Sequence, residues 1–228
     1  MNKPIIGIVG RTGINEDHSV IMVSDEVRRS VINFGGIPIL ILPTQDVDYN
    51  VNSKEPLTDK NKEDLKKIID YCDGIIMPGA YALYEYDRFI YEYAKGKDMP
   101  ILGICGGMQL MAINDKAKPE DNVLSLIQSD INHRSPGVDR VHKIKINKGT
   151  LLYDIIKKEE TSVNSRHRYC VNGVNSLKIS AISEDGIIES IEDSNGKFIL
   201  GVQWHPENMY EFDEDMANIF KRFIDSCR

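Results

Sequence analysis

The sequence predicts an α/β protein whose mostly parallel sheet is covered by helices on both faces, and three observations carry that expectation. Short apolar runs at residues 5–9, 37–42, 74–77 and 101–104 alternate with amphipathic stretches through the first half of the chain. Within each run most successive positions are apolar, as strands buried on both faces require. Beyond about residue 135 strand-like runs follow one another more closely, which adds antiparallel strands to the parallel set.

Taken in order, the run at 5–9 opens the sheet and a helix is expected near 25–34. Ser24 stands where an N-cap belongs, Asp25 and Glu26 suit the positive end of the helix dipole, and Gly35-Gly36 offers a left-handed stop. After the strand at 37–42, a helix near 61–71 carries Leu65, Ile68, Ile69 and Cys72 at i, i+3, i+4 and i+7, one stripe for a sheet, which assigns Cys72 to the core. A strand at 74–77, a helix around 84–95 and a strand at 101–104 complete this rhythm. Later strands are expected at 141–146, 161–164, 177–182, 187–191 and 198–205. A closing helix has Met216, Ile219, Phe220, Phe223, Ile224 and Cys227 on one face, so Cys227 is expected to be buried. The polar stretches 45–62 and 116–122 read as surface loops, and without internal repeats residues 1–228 read as one domain.

Composition narrows the function. A chain of 228 residues, 41% apolar and 28% charged, is that of a soluble globular protein. Its apolar runs fall far short of the ~20 residues of a membrane-spanning helix. The opening segment has too brief an apolar core for a secretory signal, so a cytoplasmic protein is expected. Twenty-eight basic against thirty-five acidic residues give a net charge of −7, which repels nucleic acid. Cys72, Cys105, Cys170 and Cys227 are scattered, with no Cys-x-x-Cys pair, so neither a disulfide framework nor a zinc site is expected.

Two strings carry chemistry. Gly103-Ile104-Cys105-Gly106-Gly107 follows a hydrophobic strand and opens a helix-compatible run, the form of a nucleophile elbow. Glycines belong beside such a nucleophile because a Cβ there would meet the neighbouring strand or helix, and the helix N-terminus favours a thiolate. Gly201-Val202-Gln203-Trp204-His205-Pro206-Glu207 then supplies a base. Pro206 biases His205 toward an extended backbone, which projects His205 and Glu207 to one side so that the carboxylate can orient the imidazole. Cys105, His205 and Glu207 are the candidate triad.

These two strings resemble those of the class I glutamine amidotransferase superfamily. More narrowly, the chain is similar to the branch of γ-glutamyl-γ-aminobutyrate hydrolase. The branch features are Pro4-Ile5-Ile6-Gly7-Ile8, Phe34-Gly35-Gly36-Ile37-Pro38, Asp73-Gly74-Ile75-Ile76-Met77-Pro78-Gly79, Val163-Asn164-Ser165-Arg166-His167 and Asp185-Gly186-Ile187-Ile188-Glu189. The resemblance implies a flavodoxin-like three-layer sandwich and hydrolysis of a γ-glutamyl amide through a thioester on Cys105, with no cofactor. It implies an oxyanion hole of backbone amides from Gly79 or Ala80 and from Gly106. It places Gln109 at the α-amino acid end of the substrate, and Asn164 or His167 on the leaving-group side.

The chain departs from the branch pattern at Gly106, where Arg is common, at Ala80-Tyr81, at Arg168-Tyr169 and at residues 124–129. None of these changes removes a triad member, so the chemistry is expected to persist with a different amine or acyl tail. Tyr81 or Tyr84, in a tyrosine-rich stretch after the Pro-Gly loop, is a candidate wall of the pocket. His133 and His142, nine residues apart and without a third ligand at zinc spacing, read as ordinary histidines, and no metal is expected. Gly7, Gly10 and Gly13 lack the order of a dinucleotide turn. The expected partner is a small γ-glutamyl substrate, with a homodimer allowed. Two other readings stand beside the hydrolase: a glutaminase subunit delivering ammonia to a separate synthase, and a non-catalytic binding or sensing module.

Overall fold

The computed structural model of the protein describes residues 2–47, 56–80, 82–115 and 123–228. The chain runs β1 (Ile5–Val9), β2 (Arg11–Asn15), β3 (His18–Met22), α1 (Asp25–Asn33), β4 (Ile37–Ile41), α2 (Asp59–Ile69), β5 (Gly74–Met77), α3 (Glu85–Gly96), β6 (Ile101–Ile104) and α4 (Gly106–Asp115). It continues with β7 (Leu124–Leu126), β8 (His142–Ile146), α5 (Leu151–Ile156), β9 (Glu160–Val163), β10 (Tyr169–Val171), β11 (Lys178–Ser183), β12 (Ile188–Glu192), β13 (Ile199–Val202) and α6 (Glu214–Ser226).

Strands β4, β1, β5, β6 and β13 lie side by side and parallel. From β13 the sheet continues antiparallel through β12, β11, β8 and β9, while β10 joins β12 to β7. The predicted α/β class, a parallel sheet extended by antiparallel strands, is the observed one. One core packs α1, α5 and α6 on one face, and a second packs α2, α3 and α4 on the other. Trp204, Phe220 and Phe223 are fully buried in the first, Tyr86, Ile90 and Met108 in the second. Each such side chain contributes about 1.5–3 kcal/mol relative to exposure.

Local chemistry explains the element ends. Gly35 stops α1 at φ +93°. The helix expected near 61–71 begins two residues earlier because Thr58 and Asn61 form a capping box, the Asn61 amide donating to the Thr58 hydroxyl at 3.2 Å. Cys72 and Cys227 are buried as expected, and burial pushes their thiols up to about 11 and about 12.

Besides the short strands β7 and β10, two features lay outside the sequence reading. Residues 11–22 form a hairpin, turning at Glu16 with φ +53°. Its first residue, Arg11, pairs with the buried carboxylate of Asp87 and donates to the Pro78 carbonyl at 2.8 Å. The hairpin therefore braces the loop after β5. Helix α5 is short and is capped by the Thr150 hydroxyl, which accepts from the Tyr153 amide at 3.1 Å. Part of each predicted loop, and all of 116–122, lies outside the described residues.

Candidate active site

Cys105 occupies the corner between β6 and α4. Its amide donates to the Val202 carbonyl of β13 at 2.7 Å, and its own carbonyl accepts the first helical bond, from Gln109, at 3.0 Å. Those two bonds hold it at φ +50°, a left-handed conformation that side chains rarely adopt. The helix it opens leaves its first amides unpartnered within the helix, so the thiol stands at a positive dipole end.

The surrounding glycines account for how tightly this corner is made. A Cβ on Gly107 would sit 2.1 Å from the Met77 carbonyl oxygen, and one on Gly103 would sit 2.9 Å from the Gly107 carbonyl carbon. The helix can therefore press onto β5 and β6 only because these positions are bare. A Cβ on Gly106 would lie 2.7 Å from the Ala80 amide nitrogen, so the backbone of the loop after β5 stands directly against the residue following the cysteine. Gly79 has a different neighbour. A Cβ there would lie 3.0 Å from the His205 imidazole and 3.8 Å from the Cys105 Cβ, so thiol and imidazole border the same space.

His205 follows β13, and its Nδ1 is 2.7 Å from Glu207 Oε1. The sequence reading placed Glu207 beside it through an extended backbone. Instead Pro206–Asn208 forms a single 3-10 turn, with Pro206 at its start, and the turn delivers the carboxylate. Since a carboxylate only accepts, Nδ1–H donates to Glu207 and Nε2 is left for the sulfur. Burial opposes a charge on the ring, but Glu207 and the hydrogen-bonded Cys105 outweigh it and hold the imidazole pKa well above 6.5.

A profile of the Peptidase C26 family matches residues 84–207, a span that includes Cys105, His205 and Glu207. The chain belongs to the Peptidase C26 family. It is 29% identical to a glutamine amidotransferase-like protein of Rickettsia prowazekii, over 99% of this chain and 98% of that one. It is 30% identical to the CTP synthase of Thermotoga maritima over 81% of this chain, and so spans only 40% of that enzyme's length. The glutaminase domain of Trypanosoma brucei CTP synthase, solved with acivicin bound, superposes with a TM-score of 0.68 at 21% identity over 99% of this chain and 94% of that one. A GMP synthase-like protein of Thermoplasma acidophilum superposes with a TM-score of 0.65 at 18% identity, over 100% of this chain and 96% of that one. These likenesses establish a glutamine amidotransferase-like hydrolase fold.

The remaining residues expected at a Peptidase C26 site fall in three places. Gln109 lies on α4 and donates through Nε2 to the Tyr169 carbonyl and to Gln203 Oε1, both at 3.1 Å. Asn164, at the end of β9, is buried with both ends of its carboxamide on His205: Oδ1 accepts from the His205 amide and Nδ2 donates to its carbonyl, each at 2.8 Å. This clamp fixes the backbone of His205; the resemblance gave Asn164 or His167 to the leaving-group side. His167 faces a separate buried cluster, with Nδ1 donating to the Tyr169 carbonyl at 3.0 Å. Tyr81 lies outside the described residues. Tyr84 is buried, with its hydroxyl 2.8 Å from Thr12 of the hairpin.

The cluster around His167 also holds His133, His142 and Glu189, all buried. Glu189 sits in β12, all five of whose residues are buried although two are glutamates. A charged residue inside a buried strand was the signal available in the sequence. For Glu192 the charge is answered by the N-terminal amides of α5, Leu151 and Leu152 donating at 2.7 and 3.1 Å. Glu189 has no such answer, since neither of its carboxylate oxygens has a hydrogen-bond partner among the described residues.

Among the described residues, no helix is long and apolar enough to cross a membrane.

Proposed function

We propose that the protein is a cysteine amidohydrolase that cleaves the γ-carboxamide of a γ-glutamyl compound, with Cys105 as nucleophile, His205 as acid and base, and Glu207 as the group that orients the imidazole. The observation that carries this reading is the shared space at Gly79, bordered by a strained thiol on a helix N-terminus and by a carboxylate-held imidazole. The raised pKa of His205 supports an imidazolium beside the Cys105 sulfur at neutral pH.

The thiolate attacks the γ-carbonyl carbon, forming a C–S bond and moving the carbonyl electrons onto oxygen. Backbone amides of Gly106 and of Gly79 or Ala80 stabilise that oxyanion, an effect worth about 3–4 kcal/mol for one well-aimed donor. The imidazolium gives its proton to the amide nitrogen, the C–N bond breaks and the amine departs. His205 then takes a proton from water, which attacks the thioester. Collapse of the second oxyanion expels the thiol and releases glutamate.

A second reading is favoured by the CTP synthase relatives: the γ-glutamyl compound is glutamine itself, and the ammonia passes to a separate synthase. The pocket departures at Gly106, Ala80-Tyr81 and Arg168-Tyr169 point to an amine or acyl tail other than that of the γ-glutamyl-γ-aminobutyrate hydrolase branch, whose substrate serves as the reference. One assay separates the readings. Glutamate release should be measured from glutamine, γ-glutamyl-γ-aminobutyrate, other γ-glutamyl amines and poly-γ-glutamate, with Cys105→Ala as blank. The hydrolase reading expects the highest kcat/KM on a γ-glutamyl amine. Highest turnover on glutamine would support the ammonia donor, and release unchanged in Cys105→Ala would discard both.

A further inference from the structure

We propose that His133, His142, His167 and Glu189 form a closed structural site for one divalent first-row transition metal, with zinc the best match to the donor set. The four residues come from the segment before β8, the start of β8, the β9–β10 connection and β12. One ligand atom from each lies within 4.8 Å of the others. Glu189 Oε1 is 3.5 Å from His133 Nδ1 and 3.6 Å from both His142 Nε2 and His167 Nε2.

Those separations are too long for hydrogen bonds but suit ligands at the corners of one tetrahedron. With zinc bonds of about 2.0–2.1 Å, neighbouring ligand atoms stand about 3.3 Å apart, so the carboxylate oxygen is already close to its place while the imidazoles, whose nitrogens lie within 4.8 Å of one another, draw inward on binding. His142 Nε2, His167 Nε2 and both oxygens of Glu189 are buried without hydrogen-bond partners among the described residues. A bare carboxylate facing two bare ring nitrogens, and a third whose only partner is the Ser165 hydroxyl, is costly to bury, and a shared cation removes that cost.

The outer partners fix the tautomers so that lone pairs point inward. His167 Nδ1 donates to the Tyr169 carbonyl at 3.0 Å, which leaves Nε2 bare. His133 Nε2 donates to Asp185 Oδ2 at 2.9 Å, which leaves Nδ1 with an inward lone pair, in the carboxylate–histidine–metal arrangement. His142 Nδ1 faces the Lys143 carbonyl at a longer 3.3 Å. The Ser165 hydroxyl, 3.1 Å from His133 Nδ1, competes for that lone pair, and its rotation frees the nitrogen. Three imidazoles and one carboxylate select zinc-like ions over calcium or magnesium, which require more oxygen ligands. Full burial of the four leaves no open position for substrate.

The site would fasten the segment that clamps the base. The His167 amide donates to the His133 carbonyl at 2.9 Å, and the Ser135 amide to the Ser165 carbonyl at 3.0 Å, so the loop carrying Asn164 is already zipped to the loop carrying His133. A metal across these loops adds a side-chain tie to that backbone zipper.

The test uses the full chain with Cys105→Ala, so that an active-site thiolate cannot supply the metal signal and the outcome does not depend on catalysis. After chelation, reloading with Zn²⁺ and desalting, elemental analysis should find one zinc per chain. Saturating zinc at about 100 times Kd should raise Tm by at least about 5 °C. Co²⁺ in its place should give the intense visible bands of a tetrahedral ion. Glu189→Gln and His142→Ala, checked for folding by circular dichroism, should each weaken zinc binding at least about 10-fold. No retained zinc and no Tm shift in the folded chain would overturn the site in favour of a proton-sharing histidine network. Weak octahedral Co²⁺ bands, or zinc binding unchanged in both folded variants, would overturn it equally, because the ion would then be held elsewhere.

Discussion

At the elbow, Cys105, His205 and Glu207 come from two short strings, each of which carries most of its own geometry. In the buried cluster, His133, His142, His167 and Glu189 come from four separate places, and none of them dictates the next. The elbow is held by backbone: Cys105 is pinned at φ +50° between β13 and α4, and glycines let the helix touch the sheet. In the cluster, His142 Nε2, His167 Nε2 and both Glu189 oxygens lack hydrogen-bond partners among the described residues. The difference teaches that a reactive group is made by strain plus partial access, whereas four buried donors without access make a ligand cage. Asn164 and Ser165, adjacent in sequence, join the two regions, one on His205 and the other on His133.

The sharpest way to break this contrast is at Gly107. Gly107→Ala puts a methyl 2.1 Å from the Met77 oxygen, a backbone atom that cannot swing aside, and should destabilise the fold by about 3 kcal/mol or more in urea unfolding. A loss below about 1 kcal/mol would mean that the elbow is not held by close backbone approach. Asn164 tests the joint between the regions. Asn164→Ala should lower kcat about 10- to 100-fold with little change in KM, because it releases the backbone of the base without removing a group from the substrate. A rise in KM at constant kcat would instead return Asn164 to the leaving-group side.

Glu207 tests the electrostatics. With the His205 pKa raised above 6.5, the imidazolium persists through neutral pH, and activity should fall only as pH climbs through that raised value. Glu207→Gln removes one of the charges that raise it, so the alkaline limb of kcat should move to lower pH. The stability linkage has the same sign. The contribution of the charged ring is full below the unfolded value of about 6.5 and is lost as pH rises through the folded value. An alkaline limb unmoved by Glu207→Gln would remove the carboxylate from the imidazole's control.

The parallel half was legible in the sequence because its strands are short, mostly apolar runs, α1 carries signals at both ends and α2 carries an apolar stripe. The elbow was legible because strain demands glycine at fixed offsets from Cys105. The turn at Pro206 was misread: a proline after His205 restricts the backbone, but extended and 3-10 geometry after it both satisfy that restriction. The hairpin at 11–22 escaped because its role is to carry Arg11 to Asp87 and Pro78, contacts across 76 and 67 residues with no local signature. The histidine cluster escaped for the same reason. Spacing along the chain finds ligands on one helix or hairpin, and these ligands meet through the pairing of β8 with β9 and of β10 with β12 and through the backbone bond from His167 to His133.

The claim on which the functional account rests is that Cys105 is the thiol that attacks. The most direct measurement is intact-mass and peptide mapping after treatment with a glutamine-like chloroketone near neutral pH. The account predicts one adduct per chain, on the peptide bearing Cys105, absent in Cys105→Ala and strongly slowed in His205→Ala. Buried Cys72 and Cys227, with thiols raised to about 11 and about 12, should stay unmodified. An adduct on another cysteine, or labelling of Cys105 at the same rate in His205→Ala, would contradict it.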